Sequence, residues 1–323
     1  MEVRKVNTFF PVFIVAYIGL SVIASVVMAA LNNAGVMVPD WIQYVLSEGI
    51  ILVIAIVYMA VNRIDPLKDI PYKRIGLVDG ILSLAAGYCM IPMVLFLSSV
   101  TMLFSTNYLE EGTASLLTYP FFMQVILLAV IPPLVEELVF RGIFFGSYRK
   151  VGMFGAAVIS GLIFGCFHLN INQGLYAFAI GFVFAYMVEA TGSLWPSVIA
   201  HFAINTYSIG VVQLLKMAGM YTADGQAAEV LEGEGEFAAS AGTMATVIQL
   251  VIFAAIAAAF MMLTVLCIKT MAKRHGRLEN VKVRTEGIKG AKKYLSAPVV
   301  LGLAVCICYM ITIEFALDRK SVV

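Results

Sequence analysis

Charge is what this chain has least of. Asp, Glu, Lys and Arg together make up 13% of its 323 residues, as 20 acidic and 21 basic side chains. A net charge of +1 supplies no field to steer a polyanion, and no nucleic-acid partner is expected. Cys89, Cys166, Cys267, Cys306 and Cys308 all fall in apolar segments. They lack the paired spacing of a disulfide framework or a zinc site and read as small packing side chains. There is no HExxH motif, no glycine-rich nucleotide loop and no other soluble cofactor motif. No stretch is long enough for a separate soluble domain, and no internal repeat is visible. These absences remove secreted scaffolds, nucleotide enzymes and modular soluble proteins together.

What the chain has is hydrophobicity. Apolar residues make up 61% of it and the mean hydropathy is +0.95. A bilayer span needs about 20 apolar residues. Candidate spans lie near 8–31, 42–61, 80–103, 119–147, 153–169, 173–190, 194–217, 243–268 and 296–317, the fifth and sixth being short. The expected fold is all-α, a polytopic transmembrane helical bundle of about eight to nine spans. The first run is too long for a signal-peptide core and lacks a small-residue cleavage site, so it reads as a retained span. Organisation divides into N-terminal helices (1–118), a core (119–217) and C-terminal helices (218–323). Segment 62–79, with Pro66 and Pro71, reads as an interfacial stretch or a simple loop.

The sparse charges alternate along the chain. Arg4 and Lys5 precede the first run, Arg63, Lys68, Lys73 and Arg74 follow the second, and Arg149 and Lys150 follow the fourth. A basic loop from Lys269 to Lys293 follows the eighth, whereas the intervening loops hold Asp40, Glu110, Glu111, Asp224, Glu229, Glu232, Glu234 and Glu236. Lys and Arg in short loops mark the cytoplasmic side, which places the N-terminus in the cytoplasm. Arg319 and Lys320 run against this alternation if all nine runs cross. The basic loop also suits anionic lipid headgroups. His275, within it, reads as a solvated residue.

Against this background Glu136, Glu137 and Arg141 stand inside an apolar run. An ionised group at the bilayer centre costs about 2.5–3.5 kcal/mol on insertion scales, so such groups face protein and serve a function. Residues four apart share a helix face, so Glu137 and Arg141 can pair while Glu136 points elsewhere, into a cavity, as a base. Pro132 and Pro133, one turn earlier, predict a kinked helix, and a broken helix beside polar groups lines a cavity. Phe164 and His168 share a face in the next segment, and His201 and Asn205 share one in a later segment. Counted from the inferred cytoplasmic ends, His201 lies about 7 residues deep, Glu136 about 13 and His168 about 16, or roughly 10–24 Å. A cavity open to the cytoplasm reaches all three if the helices tilt.

In order and spacing these residues resemble the CPBP intramembrane proteases, the family of the CAAX prenyl endopeptidases and of Abi-type bacterial proteins linked to bacteriocin processing and immunity. Glu136-Glu137-Leu138-Val139-Phe140-Arg141 is similar to its Glu-Glu-x-x-x-Arg motif, Phe164 to His168 to its Phe-x-x-x-His, and His201 to Asn205 to its His-x-x-x-Asn. The stretch Phe178-Ala179-Ile180-Gly181 through Thr191-Gly192-Ser193-Leu194-Trp195-Pro196 resembles its glycine-containing helix and turn. Ala185 stands where many members have a second glycine. The likeness covers roughly residues 119–207 and implies a four-helix catalytic core in a bacterial plasma-membrane protein.

The resemblance implies an intramembrane endopeptidase acting on a peptide or membrane-protein substrate among membrane lipids. Glu136 and His168 would activate water, His201 and Asn205 would stabilise the oxyanion, and Glu137, Arg141 and Phe164 would support them. Two histidines and a glutamate also suit zinc, the one cofactor these residues admit, with Glu136, His168 and His201 as its candidate ligands. Members are often called metalloproteases, yet metal-independent activation by Glu136 is the favoured expectation. A non-catalytic immunity or scaffold protein of the same fold is the chief rival, and a transporter or proton relay a second. Glu48 and Glu314, in or near spans, are candidates for lining a path or for packing.

Overall fold

A long apolar run in lipid can satisfy its backbone only within itself, and helix is the solution this chain adopts. The computed structural model describes residues 2–105, 119–219, 243–282 and 294–318, and among them there is no strand. The helices are α1 (Val3–Asn33), α2 (Trp41–Val61), a short α3 (Pro66–Asp69), α4 (Leu77–Thr101) and α5 (Phe121–Tyr148). They continue as α6 (Met153–Phe167), α7 (Ile171–Thr191), α8 (Trp195–Met217), α9 (Thr243–Arg274) and α10 (Ala297–Asp318). Among the described residues eight are long and apolar enough to cross a membrane; α6 is apolar but has only 15 residues. The chain is an integral membrane protein and an all-α bundle. Of the two runs expected to be short, only α6 is, since α7 extends to 21 residues.

α4 packs along both α8 and α9, while α6 lies against α7 and α10 against α1. Small residues permit the close crossings. A Cβ at Gly165 of α6 would stand 2.4 Å from the Gly174 carbonyl oxygen of α7, and one at Gly87 of α4 would stand 2.5 Å from the Ala200 carbonyl oxygen of α8. Outside these crossings an aromatic column joins α1 and α2 to the core. Phe9 stacks on Tyr58 at 3.9 Å, Phe13 on Phe167 at 5.2 Å, and Phe140 meets Phe164 at 4.9 Å. Such pairs add about 0.5–1.5 kcal/mol each beyond their burial.

One end of the bundle is tied by ions. Glu189, at the end of α7, accepts from Arg149, Arg277 and Asn280. Asp79, in the first turn of α4, accepts from Arg274 Nε at 3.0 Å and His275 Nε2 at 3.1 Å. His275 is exposed, as its loop position suggested, and it also anchors the end of α9 to α4. Sequence neighbours could not show this, because Asp79 lies far away in the chain. The same end carries α3, capped by Asp65, whose carboxylate accepts from the Leu67 N–H at 2.9 Å. The chain after α3 is held by the turn between α7 and α8: Ser193 Oγ donates to the Lys73 carbonyl at 2.6 Å and Leu194 N–H to Pro71 at 2.9 Å. Segment 62–79 is thus a short helix and a pinned strap. Gly192, at φ +70°, closes α7 in the left-handed conformation open to glycine. Residues 220–242 of the acidic loop and residues 283–293 of the basic loop lie outside the described residues.

Candidate active site

The site begins in α5. Pro132 and Pro133 leave this helix unbroken, contrary to the break that two prolines predict. The strain is taken up by wide turns: π-helix runs over Val125–Val130 and again over Leu138–Phe145, flanking the α-helical Ile131–Glu137. The Leu128 carbonyl would pair with residue 132 in an α-helix and with residue 133 in a π-helix, and neither proline has an N–H to offer. Asn205 of α8 supplies the missing donor, its Nδ2 reaching that oxygen at 2.9 Å. Asn205 thereby fixes α8 against α5 and keeps its second amide N–H free for another acceptor.

Glu137 and Arg141 pair as their spacing predicts, Arg141 Nη1 donating to Glu137 Oε1 at 2.7 Å, with both side chains wholly buried. Arg141 has no other hydrogen bond; its Nε and Nη2 are buried without partners. Aromatic faces take their place, with the guanidinium 4.1 Å from the Phe164 ring centre and 5.1 Å from that of Phe184. Gly181 makes room for this, since a Cβ there would lie 3.0 Å from Arg141 Nη2. Ala185 is fully buried beside it in α7.

Glu137 does more than the spacing rule foresaw. The same Oε1 accepts from His201 Nδ1 at 3.2 Å. That bond fixes the imidazole with its other nitrogen turned to Glu136, Nε2 standing 3.8 Å from Oε2. Glu136 is buried, and its Oε2 has no hydrogen-bond partner. Glu137 Oε2 is buried without a partner as well, and a buried carboxylate oxygen left unpaired costs stability.

His168, at the end of α6, is half-buried, and its Nδ1 meets the Phe164 carbonyl at 2.8 Å. Phe164 organises the two histidines, with ring centres 4.7 Å from His168 and 6.0 Å from His201, both edge-on. The structure thus gathers Glu136, Glu137, Arg141, Phe164 and His201 in direct contact. His168 joins them through Phe164, and Asn205 lies one turn beyond His201. Two further contributors stand beside the cluster, of which only Glu48 was noted from the sequence. Phe184 packs 5.5 Å from His201 and under Arg141, and nothing distinguishes it from other phenylalanines in an apolar run. Glu48 of α2 is close enough to Glu136 for the two carboxyls to interact, and its Oε2 is likewise buried without a partner. The signal for it was its charge inside a span.

A zinc site needs three protein ligands converging on one ion at about 2 Å. Among the described residues no group of three or more His, Cys, Asp and Glu side chains is placed to hold one. His168 and His201 engage Nδ1 and keep Nε2 available, which is common for histidine ligands, but among the described residues no third group converges with them. As arranged, Glu136, His168 and His201 do not form a zinc ligand set.

Residues 118–207 match the family model described as type II CAAX prenyl endopeptidase Rce1-like. Over this segment, 90 of its 323 residues, the chain is similar to that family. That family is one of membrane endopeptidases, and its matched stretch holds every residue of the cluster except Glu48. A Bacillus subtilis (strain 168) protein named "Putative membrane peptidase YdiL" is 36% identical over 93 residues, covering 28% of this chain and 38% of that protein. "UPF0177 protein YxdF" of Lactococcus lactis subsp. lactis (strain IL1403) is 29% identical over 158 residues, covering 47% of this chain and 84% of that protein. The first alignment spans little more than a third of its relative. No solved structure matches the chain.

Proposed function

We propose that this protein is an intramembrane endopeptidase in which Glu136 activates water for attack on a peptide bond. The observation that carries the reading is the Glu136, His201 and Glu137 arrangement. A buried, unpartnered carboxylate oxygen faces an imidazole nitrogen 3.8 Å away, and a second carboxylate fixes that imidazole from behind. The 3.8 Å gap is too long for a direct hydrogen bond and suits a bridging oxygen.

In this reading Glu136, with His168 on the same cavity, takes a proton from the attacking water, and the hydroxide oxygen bonds to the carbonyl carbon. The carbonyl oxygen becomes an oxyanion and accepts from His201 and from the free amide N–H of Asn205. His201 offers Nε2–H while Glu137 accepts from Nδ1–H, so a charged imidazole is compensated by the carboxylate behind it. The proton on Glu136 then passes to the amine nitrogen as the peptide C–N bond breaks. Donors already oriented in a dry site contribute a few kcal/mol each, because they need no reorganisation as charge develops. Phe164, Phe184 and Gly181 hold the charged partners in place, and Glu137 and Arg141 are positioning residues.

The substrate is a peptide or membrane-protein segment reaching the cavity from the basic end of the bundle. That end faces the cytoplasm, with the N-terminus beside it, in a bacterial plasma membrane. A non-catalytic immunity protein or scaffold needs no aligned base and donors, and no observation favours it.

The test is purified wild type against Glu136→Ala in detergent, each given a diverse quenched-peptide library with and without a chelator. The expected result is cleavage by the wild type at unchanged rate in chelator, and none by Glu136→Ala at equal helix content. Cleavage by Glu136→Ala at the wild-type rate overturns the assignment, and chelator-sensitive cleavage overturns its metal-free form.

A further inference from the structure

Behind α7, on the side away from Glu136, lies a cavity of about 1070 Å³ walled by α4, α6, α7, α9 and the turn Leu278–Val281. Helix geometry separates it from the site. Phe184 points to His201 and Arg141, whereas Phe178, Phe182 and Tyr186 recur at four-residue spacing on another face and line the cavity. A peptide bond lying against Glu136 and His201 therefore cannot sit there.

The lining is graded. Phe178, Phe182, Met93, Met261 and Val265 make the deep part apolar. Lys269 and Lys282 stand at the mouth, on the end of the bundle where Glu189 gathers Arg149 and Arg277. Lys282 also meets the exposed Glu279, a carboxylate that a ligand anion would have to displace. Between mouth and depth is Tyr186, only 7% exposed, with its hydroxyl buried and without a hydrogen-bond partner. An unpaired buried hydroxyl is a standing request for an acceptor. From Phe178 to Tyr186 the helix rises about 12 Å, most of one leaflet of a hydrocarbon core about 30 Å thick.

A long apolar recess, one buried donor near its opening and two cations at the rim describe the complement of one molecular class. We propose that this cavity holds a membrane phospholipid with an anionic headgroup. One acyl chain lies along Phe178, Phe182 and Val265, an ester oxygen accepts from Tyr186, and the phosphate meets Lys269 and Lys282. The site is independent of the peptidase reading and survives its failure.

The experiment is native mass spectrometry of the detergent-purified, delipidated full chain titrated with phosphatidylglycerol, phosphatidylcholine or inorganic phosphate. The wild type retains a single phosphatidylglycerol in preference to phosphatidylcholine, and inorganic phosphate does not compete at equal concentration. Lys269→Glu lowers phosphatidylglycerol retention about fivefold or more, the scale of one basic side chain at an anionic surface, and leaves phosphatidylcholine retention unchanged. Tyr186→Phe, which keeps the cavity's shape, weakens retention of both lipids. Ala179→Trp, which fills the cavity, abolishes it. Unchanged phosphatidylglycerol retention in Lys269→Glu and Tyr186→Phe overturns the proposal even if Ala179→Trp fails to fold. Equal retention of the two lipids by the wild type, or full competition by inorganic phosphate, overturns it as well.

Discussion

Glu137 shows how much one buried carboxylate can carry: it neutralises Arg141 and aims His201 through the same oxygen. Half of this was legible, because four-residue spacing fixes a shared helix face wherever the helix goes. The other half was not, because the bond to His201 joins residues 64 apart and depends on how α5 and α8 pack. Removing one partner of a fully buried ion pair strands the other, at about 3–5 kcal/mol. Arg141→Ala is accordingly expected to lower the unfolding free energy by about that amount. Glu137→Gln keeps the shape, still accepts from His201 and leaves Arg141 uncompensated. It should lose stability by a similar measure, while Phe184→Leu loses less. Thermal unfolding in detergent, followed by helix signal, checks the order of the three.

At the scale of elements, the helices were visible in the apolar runs but their internal register was not. A π-helical turn leaves the composition of a segment unchanged, so α5 read as a broken helix when it is a continuous one with two wide stretches. The prolines were the right signal with the wrong consequence: their missing N–H groups orphan the Leu128 carbonyl, and Asn205 satisfies it. The two halves of this device should be coupled. Asn205→Ala alone leaves a buried carbonyl unpaired, at about 1–3 kcal/mol. In a Pro132→Ala background the new backbone N–H can reach Leu128 in α-helical register, so the same substitution should cost less there. A double-mutant cycle by chemical or thermal unfolding reads the coupling; additive effects would mean that the prolines and Asn205 act separately.

For the molecule as a whole, ion clusters at Glu189 and Asp79 lock one end of the bundle and bring Arg149, Arg274 and Arg277 to it. Composition made the all-α membrane bundle legible, because continuous apolar runs of about 20 residues suit spanning helices and not the short alternating strands of a barrel. The cluster was legible as motifs, and its assembly was not, since Phe164 brings together histidines from α6 and α8 by tertiary packing. The contact of His275 with Asp79 was hidden for the same reason. The charge pattern sets an expected orientation that labelling can check. In a background with the five cysteines replaced, Lys68→Cys should react with an impermeant maleimide only after the membrane is opened. Gly35→Cys should react in intact cells, and the reverse pattern would invert the topology.

The central claim is that Glu136 delivers water to a peptide carbonyl. The most direct measurement is mass spectrometry of the cleavage products formed in heavy-oxygen water by wild type and by Glu136→Gln. The account predicts one heavy oxygen in the newly formed carboxylate of the wild-type product and no product from Glu136→Gln. A product released without heavy oxygen, or formed at the wild-type rate by Glu136→Gln, would contradict it.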